Sequence, residues 1–190
     1  MGQRLVVTIH ASGKDIATIY YHWGAYTDCS LEIAKDLTYN FDWHNYASTD
    51  ELILGLTRFL ESNGGGIDHC DQNVAEFKKR FPVQNFRFKG VSRGNGLIAI
   101  SEATMAEQAD DACGEMTISY DSKKITNSCY SWYENTDDCI ANNGNDIEFG
   151  HLNFDPTCFE FDKIDTVKDS LHSGYDYYVY ADGVIGPEDG

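Results

Sequence analysis

Ile16-Ala-Thr-Ile-Tyr-Tyr-His-Trp-Gly-Ala-Tyr-Thr27 joins a strand pattern to an aromatic turn within twelve residues. Ile16, Thr18 and Tyr20 alternate with Ala17, Ile19 and Tyr21, so β-branched and aromatic side chains fall on both faces, as in a strand covered on each side. Gly24 breaks the run. Thr27 or Asp28 then suits a helix cap, with Leu31, Ile33, Ala34 and Leu37 following at helical spacing to about Asn40. A strand that ends in polar-tipped aromatics and feeds a helix is a common setting for a ligand site, although buried aromatics with satisfied polar tips have the same pattern.

Upstream, Arg4 to His10 reads as a strand. The link through Ala11-Ser12-Gly13-Lys14-Asp15 is too short for a crossover, so the two strands pair antiparallel. Downstream, Ser48-Thr49-Asp50-Glu51 is a helix start signal, followed by the apolar stripe Leu52, Ile53, Leu56, Phe59 and Leu60. Asn63-Gly64-Gly65-Gly66 ends that helix and reads as a flexible loop; without a following Lys-Ser or Lys-Thr it is not a phosphate-binding loop. Asp71 to Phe81 forms another helix, closed by Pro82. Phe86 to Ser92 and Leu97 to Ser101 flank Arg93-Gly94-Asn95-Gly96 and read as a hairpin. A short helix from Glu102 to Asp111 precedes a second hairpin, Glu115 to Asp121 with Ile125 to Tyr133. Beyond a polar loop, Ile147 to Phe154 and Tyr175 to Tyr180 suit strands and Asp162 to Leu171 a helix, with a frayed tail at 186–190. Hairpins separated by helices predict an α+β fold, a largely antiparallel sheet with helices packed on one or both faces.

The 190 residues suit a single domain over 1–190 with one core. No run approaches the roughly 18 apolar residues of a membrane span. Met1 to Ile9 enters a strand pattern with no apolar signal region, and the six cysteines are scattered, so free thiols in a reducing cytoplasm are expected. The net charge of −17 is unevenly placed: residues 1–100 carry 11 acidic and 10 basic side chains, a balance of −1, and residues 101–190 carry 20 and 4, a balance of −16. Such a field repels nucleic-acid phosphates and attracts basic partner surfaces. A soluble acidic surface with no partner has the same composition.

No motif of high catalytic specificity occurs. His69-Cys70-Asp71 groups three metal-binding residue types, but adjacent residues seldom converge on one ion. Asp137 to Glu148 has the composition of a calcium loop and fails its spacing. Neither a metal nor another cofactor is expected. Cys29, near a helix start and seven residues after His22, is the best candidate for a Cys/His hydrolase, though it lacks a third member. The remaining constellation is basic: Lys78, Lys79, Arg80, Arg87, Lys89 and Arg93. Arg87 and Lys89 alternate with Phe86 and Phe88 towards the turn at Arg93. These cations either pair with the acidic half or hold phosphates while Tyr20, His22 or Tyr26 contacts a base.

Arg4-Leu-Val-Val-Thr-Ile, Ile19-Tyr-Tyr-His-Trp-Gly-Ala-Tyr-Thr27, Asn63-Gly-Gly-Gly-Ile-Asp68 and Asn95-Gly-Leu-Ile-Ala-Ile-Ser101 resemble blocks in small uncharacterised accessory proteins of phages and prophages of Gram-positive bacteria. The resemblance covers about residues 1–105. It implies a protein made in the cytoplasm of an infected bacterial cell, with no catalytic residue to carry over. Proteins of that kind often inhibit host defence. The leading expectation is therefore a non-enzymatic inhibitor whose acidic half binds a basic surface of a host protein. The alternatives are sequestration of a phosphorylated, cyclic nucleotide signal and, last, the Cys29/His22 hydrolase.

Overall fold

A computed structural model describes residues 4–25, 29, 33–34, 36–38, 40–43, 46–90, 95–122, 124–129, 147–151, 178–180 and 183–185. The first two strands, β1 (Leu5–Ala11) and β2 (Lys14–Tyr21), pair antiparallel through the Ser12-Gly13 turn, with Leu5 opposite Tyr21 and Thr8 opposite Thr18. Both turn residues have positive φ, 56° and 73°, the left-handed geometry of tight hairpins. Asp121 holds that turn by accepting from the N–H groups of Ser12 and Gly13 at 3.0 and 2.9 Å.

The helix α1 (Thr49–Ser62) starts where the sequence places it: the Ser48 hydroxyl accepts from Glu51 N, and Leu52, Ile53, Leu56 and Leu60 are buried. Strand β3 (Gly66–Asp68), helix α2 (Asp71–Arg80), strands β4 (Phe88–Lys89) and β5 (Leu97–Ala99), and helix α3 (Glu102–Asp110) follow. Strands β6 (Gly114–Ser119), β7 (Lys124–Cys129) and β8 (Ile147–His151) extend the sheet in the order β4-β3-β5-β2-β1-β6-β7-β8. The predicted strand at 175–180 is represented by β9 (Tyr178–Tyr180), which pairs with an unanticipated β10 (Gly183–Ile185). Of the expected first helix, residues 29, 33–34 and 36–38 are helical. The expected loop at 134–145, helix at 162–171 and tail at 186–190 lie outside the described residues, as do Tyr26 and Arg93.

The class is α+β, but the sheet is mixed rather than largely antiparallel. Strands β1 and β6 run parallel, and β3 runs parallel to both β4 and β5. The expected hairpin across Arg93-Gly94-Asn95-Gly96 is therefore replaced by an insertion: β3, which precedes both arms in the chain, lies between them. The triglycine makes this possible. Gly66 N donates to Gly96 O at 3.1 Å, and a Cβ on Gly65 would collide with the backbone carbonyl oxygens of Asn95 and Gly96. What reads as a flexible loop is a close approach of two backbones.

One face of the sheet carries Leu5, Val7 and Ile9 of β1, Ala17, Ile19 and Tyr21 of β2, Ile98, Ile67, Met116 and Ile118, all buried in one cluster with the α1 stripe, Phe41 and Trp43. On the α2 side, Phe77 packs against the rings of Phe81, Phe86 and Phe88 at centroid distances of 5.8, 5.2 and 6.3 Å. The other face carries Thr8, Thr18, Tyr20 and Leu97, and α3 lies over it, with Thr18 Oγ1 donating to Gln108 Oε1 at 2.7 Å. Strand β2 is covered on both faces, as its alternation requires.

Candidate functional site

Two cavities lie at the carboxyl ends of β3 and β5, and a buried asparagine builds that corner. Asn73, in the first turn of α2, is fully buried; its amide donates to the carbonyls of Asp68 at 2.9 Å and Ile98 at 3.2 Å, and its carbonyl oxygen accepts from Ile100 N at 2.8 Å. It ties the ends of two parallel strands to the start of the helix that follows one of them. Ser101 then caps α3, its hydroxyl accepting from Thr104 N at 3.2 Å.

The smaller cavity, about 150 Å³, opens on the polar face of the sheet. Tyr20 and Leu97 form its apolar wall; Asp68, Glu107 and Asp111 bring carboxylates to it. Asp68, only 13% exposed at its side chain, accepts from Cys70 N at 2.9 Å through Oδ1 and from Gln108 Nε2 at 2.9 Å through Oδ2. Gln108 is in turn oriented by Thr18, so a chain of hydrogen bonds fixes the carboxylate. The Cys70 thiol pKa is pushed up to about 11, first by burial and then by the hydrogen bond and charge of Asp68. A thiol in that state is a poor nucleophile. Tyr20 is half-buried and its phenol pKa is raised by burial, opposed by Arg4. Its hydroxyl lies 2.8 Å from His22 Nδ1, and His22 meets Trp23 edge-on at 5.0 Å. Arg4 pairs with Asp111 at 3.2 Å.

The larger cavity, about 440 Å³, lies outside the end of β5, between α2, α3 and the start of β2. Lys14, Lys79 and Arg80 bring cations to it, and Asp15, Glu76 and Glu102 bring carboxylates.

Of the residues singled out in the sequence, Tyr20 lines the smaller cavity and His22 contacts Tyr20 beside it. Arg87 and Lys89 line neither cavity. Two strands, β3 and β5, separate β4 from β2, which at sheet spacing puts roughly 14 Å between their backbones. Lys89 donates to Gly64 O at 2.9 Å, and the Arg87 side chain is exposed. Lys79 and Arg80 are the members of the basic run that reach a cavity, and their described partners are Glu76 and Asp50, not carboxylates of the acidic half. Cys29 is half-buried, with 26–28 and 30–32 around it outside the described residues. Asp68 was missed because it sits on a three-residue strand, and Glu107, Gln108 and Asp111 because they belong to the helix α3 and its C-cap about forty residues later; the one signal was the polar His69-Cys70-Asp71 cluster shortly after a glycine-rich turn.

Among the described residues, no three His, Cys, Asp or Glu side chains form a metal-binding group, and no helix is long and apolar enough to cross a membrane. In comparisons with known proteins, the chain matches no family model, no curated sequence and no solved structure.

Proposed function

We propose that the chain is a non-enzymatic binding protein, an accessory inhibitor of the phage type that engages a basic surface of a host defence protein, with the Asp68 cavity as the point where a partner Lys or Arg side chain enters. The observation that carries this reading is the carboxylate set of Asp68, Glu107 and Asp111 around a cavity the size of one long side chain, with Asp68 pre-oriented by Cys70 N and Gln108 and Asp111 bridged to Arg4 at the rim, so that three carboxylates face one cation. Preorganised acceptors in a partly desolvated pocket favour a cation more than the same charges on an open surface do. The balance of −16 over residues 101–190 adds attraction at longer range. Nucleotide sequestration is less well supported, because Tyr20 sits among carboxylates while Arg87 and Lys89 lie elsewhere.

The test uses an oligolysine peptide at low and at physiological salt, with the double variant Glu107→Gln/Asp111→Asn against a control, Glu51→Gln/Asp36→Asn, that removes equal charge elsewhere. The reading expects the first pair to weaken binding about ten-fold more than the second, since a focused site loses more than a diffuse field. Equal losses would reduce the interaction to net charge and remove the cavity from it.

A further inference from the structure

The larger cavity has a topological origin independent of the acidic surface. Strands β3 and β5 are adjacent and parallel, Gly66 opposite Leu97 and Ile67 opposite Ile98. From β3 the chain passes through α2 to β4 on one side; from β5 it passes through α3 to β6 on the other, beyond β2 and β1. Connections that leave neighbouring parallel strands in opposite directions open a crevice beyond the strand ends, where ligands bind in open α/β sheets. The crevice here is about 440 Å³, within the range of small-molecule sites.

Its lining carries both signs of charge. Lys79 is paired with Glu76 at 3.2 Å, Arg80 with Asp50, and Asp15 with His10 at 2.9 Å. Among the described residues this leaves Lys14 and Glu102, one of each sign, with no hydrogen bond or ion pair of the side chain, although both line the same crevice. Ile16, Ile100 and Met105 give it an apolar wall. A phosphate would meet carboxylates here, and a simple cation would meet lysines and an arginine. A ligand that carries its own opposite charges beside an aliphatic group matches all three parts.

We propose that this crevice binds a small zwitterion of the α-amino acid class with an aliphatic side chain: its carboxylate faces Lys14, its ammonium group faces Glu102, and its side chain lies on Ile16, Ile100 and Met105. This goes beyond the partner-binding reading and shares no residue with it.

The test is titration of the isotopically labelled full chain with L-leucine, N-acetyl-leucine and leucinamide, followed by amide chemical shifts. Leucine is expected to shift residues of β2, α2 and α3 at the crevice, and both blocked forms to bind at least about five-fold more weakly. Lys14→Gln should weaken leucine by a similar factor and leave leucinamide unchanged; Glu102→Gln should weaken leucine and leave N-acetyl-leucine unchanged. Both residues are exposed, and unchanged melting temperatures would show that the variants fold. Absence of shifts at the crevice with leucine at several millimolar would overturn the proposal. So would blocked forms that bind as well as leucine, or inorganic phosphate binding in its place. The oligolysine experiment is read separately, so either result stands without the other.

Discussion

At the scale of single residues, Asn73 carries the corner on which both cavities depend. It is the sort of residue a sequence hides: a polar side chain in the first turn of an amphipathic helix reads as solvent-facing. Its burial follows from bonds to residues 68, 98, 100 and 101, which no local pattern records. Replacing it with alanine removes the partner of two backbone N–H groups, Ile100 and Ser101, and of two carbonyls, Asp68 and Ile98, in a buried corner. Asn73→Ala should lower unfolding stability by about 3 kcal/mol, measured by urea denaturation. A loss under about 1 kcal/mol would mean that other groups or water satisfy these atoms. Cys70, beside the same corner, makes a chemical prediction. With its thiol pKa pushed up to about 11, it should react with a thiol reagent at pH 8 far more slowly than an unperturbed cysteine in a peptide. Comparison of labelling rates between the wild type and Cys70→Ser would isolate its contribution, and peptide-like reactivity at Cys70 would contradict the assigned environment.

At the scale of elements, the parts governed by local chemistry were legible and the parts governed by distant pairing were not. The β1–β2 hairpin follows from alternation around a short turn, and α1 from Ser48 and the Leu52-to-Leu60 stripe. The start of α2 and the length of α3 were also readable. Strand β3 was not, because three residues are too few to show alternation and the preceding glycines resemble a loop. The Asn95-Gly96 turn signal was present, but the inserted strand took the pairing that a hairpin would have used. Gly65 is where these facts meet. Its missing side chain is replaced in space by the carbonyls of Asn95 and Gly96, which are backbone and cannot swing aside. Gly65→Ala should cost about 2 kcal/mol or more through overpacking, measured by thermal and urea unfolding. A neutral result would show that β3 and β5 separate easily. The candidate site was only half readable for the same reason: Tyr20 announced itself within a strand, whereas its carboxylate neighbours reach it from β3 and α3.

At the scale of the whole molecule, burial of tyrosines sets an alkaline limit on the fold. Burial raises the phenol pKa of Tyr21 far above its ordinary value of 10 and that of Tyr46 to about 12. Above pH 10 the unfolded chain therefore releases these protons first and binds fewer than the native state, so stability falls as pH rises. It should be insensitive to these groups below about pH 9.5 and decline from pH 10 towards 12, and Tyr21→Phe should flatten the decline in melting temperature. An unchanged slope in that variant would place the alkaline sensitivity elsewhere. The strand order also bears on how the protein is made. Strand β2 lies between β1 and β5, and β1 lies between β2 and β6, so the β1–β2 hairpin taken alone has two open edges and one bare apolar face. One edge stays unpaired until residues 97–99 are available and the other until residues 114–119. Until both segments are in place the β1–β2 pair is a β-rich ribbon with unpaired edges, the kind of surface that recruits further strands and self-associates.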